Sequence, residues 1–206
     1  MTSSVAELPK VTGTCPAPLT AAVRSAVSAG GSWQQTADRV VAALRGRLPG
    51  PDILSPRQLA GDPGGYQTHL VHAEPDGSFS IVVMVWLPGQ ATPVHDHLSW
   101  CCTAVLQGTE YEEVYRLIPG DATAPRDGGQ LPPVAPGRPP RERGGHLEVI
   151  GRNANPAGTV SGFAPPGDIH LVRNVGAATA VSMHVYGTDI TRVGSSVRRV
   201  YDLPVR

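Results

Sequence analysis

Hydrophobic spacing divides the chain in two. From Pro18 to Leu48 apolar residues recur at helical intervals. The run LTAAVRSAVSAG is rich in alanine and stops at Gly30 and Gly31. Ser32 then stands where an N-cap belongs, ahead of WQQTADRVVAALRGRL, in which Val40, Val41, Leu44 and Leu48 form one stripe. Pro49 and Gly50 end that helix, and Pro56 starts one further helical turn around residues 55–60. Residues 1 to 16 are polar and contain proline, and read as a loose arm.

After Gly65 the period changes to two. YQTHLVHAE and FSIVVMVWL read as strands joined by the turn Pro75-Asp76-Gly77, the second dense enough in Val and Ile to be buried. Pro88-Gly89 turns the chain, and the stretch from Pro93 to Leu106 reads as one further strand. Gly108 breaks it, and TEYEEVYRLI resumes the alternation. HLEVI, GTVSGFA, HLVRNV and ATAVSMHVYG follow as four short strands. Residues 119–145 hold proline, glycine and charge with almost no apolar run, and read as a surface insertion. Roughly eight strands after two helices predict an all-β chain, a small double-sheet barrel or jelly roll with a helical N-terminal layer. The expected organisation is a helical layer over residues 1–62 packed on a barrel over 63–206, together one structural domain.

Composition narrows the function classes. Lys plus Arg and Asp plus Glu are both 17 in 206 residues, so no excess of positive charge marks a nucleic-acid binder. No apolar run reaches the roughly 18 to 20 residues of a membrane span, and MTSSVAELPK lacks the features of a signal peptide. Three cysteines, two of them adjacent, make no disulfide framework, which favours a cytoplasmic setting. No sequence feature marks an interface, so a monomer or weak homodimer is expected.

Candidate chemistry concentrates in the histidines. His95 and His97 flank Asp96, and on a strand two residues i and i+2 share a face, so both imidazoles enter one cavity while Asp96 points away. His170 follows the turn Pro165-Pro166-Gly167-Asp168 and could bring a third ligand. Three neutral imidazoles suit Fe(II), Ni(II), Cu(II) or Zn(II) and leave open positions. Ser182, His184 and Tyr186 share one face of another alternating run and could form a relay that tunes the phenol's proton.

Gly89-x5-His95-x-His97 with Gly108, and Pro165-x-Gly167-x2-His170-x3-Asn174, resemble the two cupin motifs. TPVHDHLSW, VLQGTEYEEVY, PPGDIHLVRN and SMHVYG resemble a bacterial member of the cysteine dioxygenase family of thiol dioxygenases, over about residues 60–200. The resemblance implies a cupin double-stranded β-helix. It also implies an enzyme holding Fe(II) on His95, His97 and His170 that uses O2 to convert a small thiol carboxylate, cysteine or a close relative, to its sulfinate. Where an ordinary cupin carries a glutamate ligand, this chain has Trp100, Cys101 and Cys102, in keeping with a three-histidine site. Ser182, His184 and Tyr186 become the outer-sphere triad. Cys101, favoured over Cys102, faces Tyr186, where some members form a thioether.

The resemblance places Thr68 where cysteine-specific members carry arginine and mercaptopropionate-specific ones glutamine. A threonine hydroxyl cannot replace a bidentate guanidinium. Tyr66 and Trp100 are expected at the pocket, with Arg192, Arg198 or Arg199 reaching the substrate carboxylate. The alternatives are a three-histidine enzyme for 3-mercaptopropionate or a specialised thiol, and a non-enzymatic cupin that binds a small molecule.

Overall fold

The computed structural model describes residues 8–11, 13, 15–120, 139–142 and 144–206. Helices α1 (Ala17–Ser28), α2 (Trp33–Leu44) and α3 (Pro56–Leu59) come first. Strands β1 (Gln67–Ala73), β2 (Ser80–Trp86), β3 (His95–His97), β4 (Cys101–Gln107) and β5 (Thr109–Ile118) follow. Next come β6 (Arg141–Glu142), β7 (His146–Pro156), β8 (Val160–Phe163), β9 (His170–Arg173) and β10 (Ala180–Tyr186). The last elements are α4 (Ile190–Val193) and β11 (Val197–Tyr201).

Two sheets form. One has five strands in the order β1-β2-β10-β4-β8, the other six in the order β6-β11-β3-β9-β5-β7. The expected all-β closed barrel is therefore corrected. The first sheet ends at β1 and β8 and the second at β6 and β7, and among the described residues no ladder joins the sheets. The fold is mixed, with two open sheets and four α-helices among the described residues. The strand count was a poor guide because closure depends on edge pairing, which alternation does not encode.

The five-stranded sheet is covered on both faces. Leu19 and Val23 of α1 and Val40 and Leu44 of α2 pack with Ile81, Val83 and Val85 of β2 and with Val181, Met183 and Val185 of β10. The alternate residues Val82, Met84 and Trp86 point the other way, into an interior shared with Val172 of β9. That is why β2 reads as an unbroken apolar run: all seven of its residues are buried. A capping box starts α2, with the Ser32 hydroxyl accepting from the Gln35 N–H and the Gln35 side chain accepting from the Ser32 N–H. The helix ends at Leu44, one turn before the expected Leu48. Gly162 lets α2 approach β8, since a Cβ there would lie 2.7 Å from Val41.

Three further expectations change. Pro93 to Leu106 is not one strand: the chain leaves the six-stranded sheet after His97 and enters the five-stranded sheet at Cys101. The described part of the N-terminal arm is not loose, because Val11 donates to the Leu70 carbonyl and Leu70 to that of Pro9. Most of the insertion at 119–145 lies outside the described residues, but Arg141 and Glu142 form β6 beside β11.

Candidate metal centre

β3 is three residues long and entirely buried, and it sets His95 and His97 into the interior between the sheets. His170, the first residue of β9, is the cross-strand partner of His95. The ring centroids of His95 lie 4.8 Å from His97 and 4.7 Å from His170, and those of His97 and His170 are 5.1 Å apart. One ligand atom from each lies within 4.8 Å of the others. This buried cluster is capable of holding a metal ion.

The second nitrogen of each ring shows how well the set fits an ion. Nδ1 of His95 donates to the Pro93 carbonyl at 3.0 Å, Nδ1 of His97 to Asp168 at 3.2 Å, and Nδ1 of His170 to Glu112 at 2.8 Å. Each ring is thus held as the tautomer whose Nε2 lone pair is free, the form a metal requires. Burial lowers the His95 pKa well below its ordinary value, helped by the neighbouring His170 and His97. Burial lowers that of His97 too, with Asp168 opposing. The His95 and His97 rings are therefore kept neutral without an ion.

Asp96 points away, as alternation requires, and fastens β3 from behind. Its Oδ2 accepts from Arg198, Arg199 and the Tyr201 hydroxyl, with closest distances of 2.6, 2.7 and 2.9 Å. Although burial opposes it, Arg198, Arg199 and Tyr201 together hold the carboxyl below its usual range.

The three residues expected to form a relay stand in one hydrogen-bonded row on β10. Trp86 Nε1 donates to the Ser182 hydroxyl at 3.0 Å, Ser182 Oγ lies 3.0 Å from His184 Nε2, and His184 Nδ1 lies 3.3 Å from the Tyr186 hydroxyl. Burial drives the His184 pKa down to about 3, helped by His170 and His97. Burial also pushes the Tyr186 phenol well above its ordinary value, with Cys101 adding to it. Both groups rest neutral. Tyr186 and the three histidines face one cavity of about 300 Å³, which Tyr66, Thr68, Met84, Ser196 and Val197 also line. The Phe163 ring packs on His97 and His170 at 5.0 and 4.9 Å.

Other expected residues fall in different places. Cys101 is the cross-strand partner of Tyr186, while Cys102 pairs with Val185 and turns its thiol toward the Ala37 carbonyl of α2, 3.4 Å away. The pairing with β10, not a continuous strand from His97, places Cys101 there. Trp100 does not wall the cavity; it joins the core beneath the helices and lies against Gly187, where a Cβ would approach its indole to 2.2 Å. Arg198 and Arg199 are committed to Asp96, and Arg192 pairs with Asp189 at 3.0 Å on the surface. None of the three arginines lines the cavity. His69 and His72 do not line it either: His69 meets Gln58 and His72 meets Glu74.

Sequence reasoning missed Asp168, Glu112, Trp86 and Glu110. Three of them stood in plain view. Glu110 and Glu112 alternate on one face of β5, and Asp168 sits two residues before a ligand, so carboxylates at strand parity with histidines were the available signal.

No protein-family model matches the chain. Among solved structures it is similar to the protein TT1209 from Thermus thermophilus, at 22% identity and a TM-score of 0.40 over 65% of this chain and 94% of that one. It is also similar to a Cupin 2 conserved barrel domain protein from Salinispora arenicola CNS-205, at 17% identity and TM-score 0.37, over 59% of this chain and 74% of that one. A third is a cupin superfamily protein from Desulfitobacterium hafniense DCB-2, at 10% identity and TM-score 0.41, over 69% and 90%. Likeness at this depth carries no argument about chemistry, which rests on the site itself. No described helix is long and apolar enough to cross a membrane.

Proposed function

We propose that this chain is a metal-dependent thiol dioxygenase that converts a small thiol, cysteine or a close relative, to its sulfinate. The observation that carries the reading is the three imidazoles, each fixed through Nδ1 with Nε2 free, beside a buried neutral phenol in one cavity. The reaction is R–S⁻ + O2 → R–SO2⁻. Sulfur gives up four electrons, O2 takes four, and both oxygen atoms end on sulfur, so no outside reductant is needed. Bound by His95, His97 and His170, Fe(II) would supply open positions for an anionic thiolate and O2 and the redox capacity to join them.

The chain's own residues do the rest. Pro93, Asp168 and Glu112 hold the rings in orientation. Tyr186, kept protonated, offers a hydrogen bond into the cavity, and His184 and Ser182 fix its direction. Met84, Val172, Ile190 and Val197 keep the cavity walls apolar and limit water.

Thr68 favours a second reading, in which the same reaction serves a thiol other than cysteine. Among the described residues no arginine or lysine lines the cavity, and Thr68 and Tyr66 present hydroxyls there. The test is anaerobic loading with Fe(II), then O2 uptake and sulfinate detection with cysteine, 3-mercaptopropionate, cysteamine and mercaptosuccinate. Equal consumption of O2 and thiol, with sulfinate formed and lost in His95→Ala, supports the proposal. Stoichiometric iron with no sulfinate from any thiol refutes it.

A further inference from the structure

Behind the relay lies a side chain that the proposed chemistry has not used. Glu110 is the second residue of β5, two after Gly108, and is 3% exposed. Its Oε1 has no hydrogen-bond partner and lies 4.0 Å from His184 Nε2. It bonds to none of the three ligand histidines; Glu112, two residues on, takes that role at His170.

We propose that Glu110 is the internal proton store of a four-membered wire, Glu110–Ser182–His184–Tyr186, which carries one proton between the buried carboxyl and the metal cavity. Donor chemistry dictates the path. The Trp86 indole can only donate, so Ser182 Oγ uses one lone pair on it and keeps one lone pair and its own hydrogen for the wire.

Two arrangements satisfy every member. With Glu110 protonated, its O–H donates to Ser182, Ser182 donates to His184 Nε2, and His184 Nδ1–H donates to Tyr186. The phenol hydrogen then points into the cavity. With Glu110 ionised, Ser182 O–H donates to the carboxylate and His184 Nε2–H donates to Ser182. Tyr186 O–H donates back to His184 Nδ1, so the phenol shows the cavity a lone pair.

Converting the second arrangement to the first takes a proton at Tyr186 and passes one hydrogen along each bond, ending on Glu110. No member is left charged except Glu110 before transfer. On the reading above, the proton comes from the thiol as it enters the cavity: the S–H bond breaks, the electron pair stays on sulfur, the thiol's proton becomes the Tyr186 phenol hydrogen, and the hydrogen that leaves Ser182 becomes the Glu110 carboxyl hydrogen.

The surroundings suit a store. Burial raises the Glu110 pKa to about 7, although the adjacent Ser182 hydroxyl and Trp86 indole favour the ionised form. Its other ionisable neighbours are Glu112 on its own strand, His184 and Tyr186 of β10, and Cys101 of β4. Asn155, its partner on β7, carries no charge. Glu110 touches neither metal ligand nor cavity, so it acts only through the three residues between.

The test reads the tautomer of His184 directly. Carbon-13 imidazole shifts are recorded on the full chain loaded with Zn(II), from about pH 5.5 to about pH 8.5, in the parent and in Glu110→Gln. The expected result is a switch from the Nδ1–H to the Nε2–H form in the parent near neutrality. The amide of the Glu110→Gln variant can donate to Ser182 but cannot ionise, so that variant should keep the Nδ1–H form throughout. One unchanging tautomer in the parent overturns the proposal whether or not the variant folds, and so does a parent-like switch in Glu110→Gln. The experiment needs no turnover. A switch without sulfinate refutes the reaction alone, and sulfinate without a switch refutes the wire alone.

Discussion

Replacing Asp168 with alanine should weaken metal binding without removing a ligand. One oxygen, Oδ2, accepts from both the backbone N–H of His97, at 2.8 Å, and its Nδ1, at 3.2 Å. With that oxygen gone, the His97 ring loses the bond that selects its tautomer, and a buried N–H loses its acceptor. Loss of such a partner costs about 10- to 100-fold in affinity. At about 1.4 kcal/mol per factor of ten, that is about 1.4 to 2.8 kcal/mol. The stranded backbone donor costs a further 1 to 3 kcal/mol of fold stability, roughly, so binding must be measured well below the variant's midpoint. Chelator competition with Co(II) reads the affinity, with His97→Ala as the full-loss control. Asp168→Ala binding within about twofold of the parent, while His97→Ala fails to bind, would refute the argument that this carboxylate prepares the ring.

Glu112→Gln should lower metal affinity by a similar factor, since Glu112 is the partner of His170 at 2.8 Å, and the same titration checks it. Arg198→Ala and Arg199→Ala should each lower the thermal midpoint and metal retention but leave KM for carboxylate-bearing thiols unchanged, because both serve Asp96; a selective rise in that KM would place an arginine at the substrate. The pH dependence of stability has opposing parts. His184, with its pKa lowered to about 3, binds its proton only in the unfolded chain over the interval from 6.5 down to 3, so stability falls as pH drops through it. Glu110, raised from 4.5 to about 7, works the other way: its burial costs stability as pH rises from 4.5 to 7. Denaturant melts should therefore show Glu110→Gln gaining on the parent by about 3 kcal/mol between pH 4.5 and pH 8, at about 1.36 kcal/mol per unit; a pH-independent difference contradicts a buried ionisable Glu110.

Much of the site was legible because strand parity is local. His95, His97 and the Ser182-His184-Tyr186 face follow from a period of two; the structure brings both histidines to one cavity and joins the other three in one hydrogen-bonded row. Whatever depends on pairing between distant segments was not. The corner at residues 98–100 carries no proline or glycine, so Pro93 to Leu106 read as one strand although its halves belong to different sheets. The arginines read as free cations because the sequence does not reveal that Asp96, about a hundred residues earlier, had already engaged two of them. Open edges were invisible for the same reason: barrel closure is a property of which strands meet.

The knot of bonds on Asp96 ties a three-residue strand to residues 102 to 105 positions further along the chain. Contacts of such separation form after local ones, since the intervening segment must first be gathered in. During synthesis His95 and His97 leave the ribosome long before β11 exists, and His170 follows His95 by 75 residues. Until β11 and β9 dock, the pair is an ordinary HxH segment with two ligands, unselected tautomers and full access to water, and it holds a metal only weakly. An ion held by this site would therefore be captured late in the chain's maturation, only once residues from three distant segments have met.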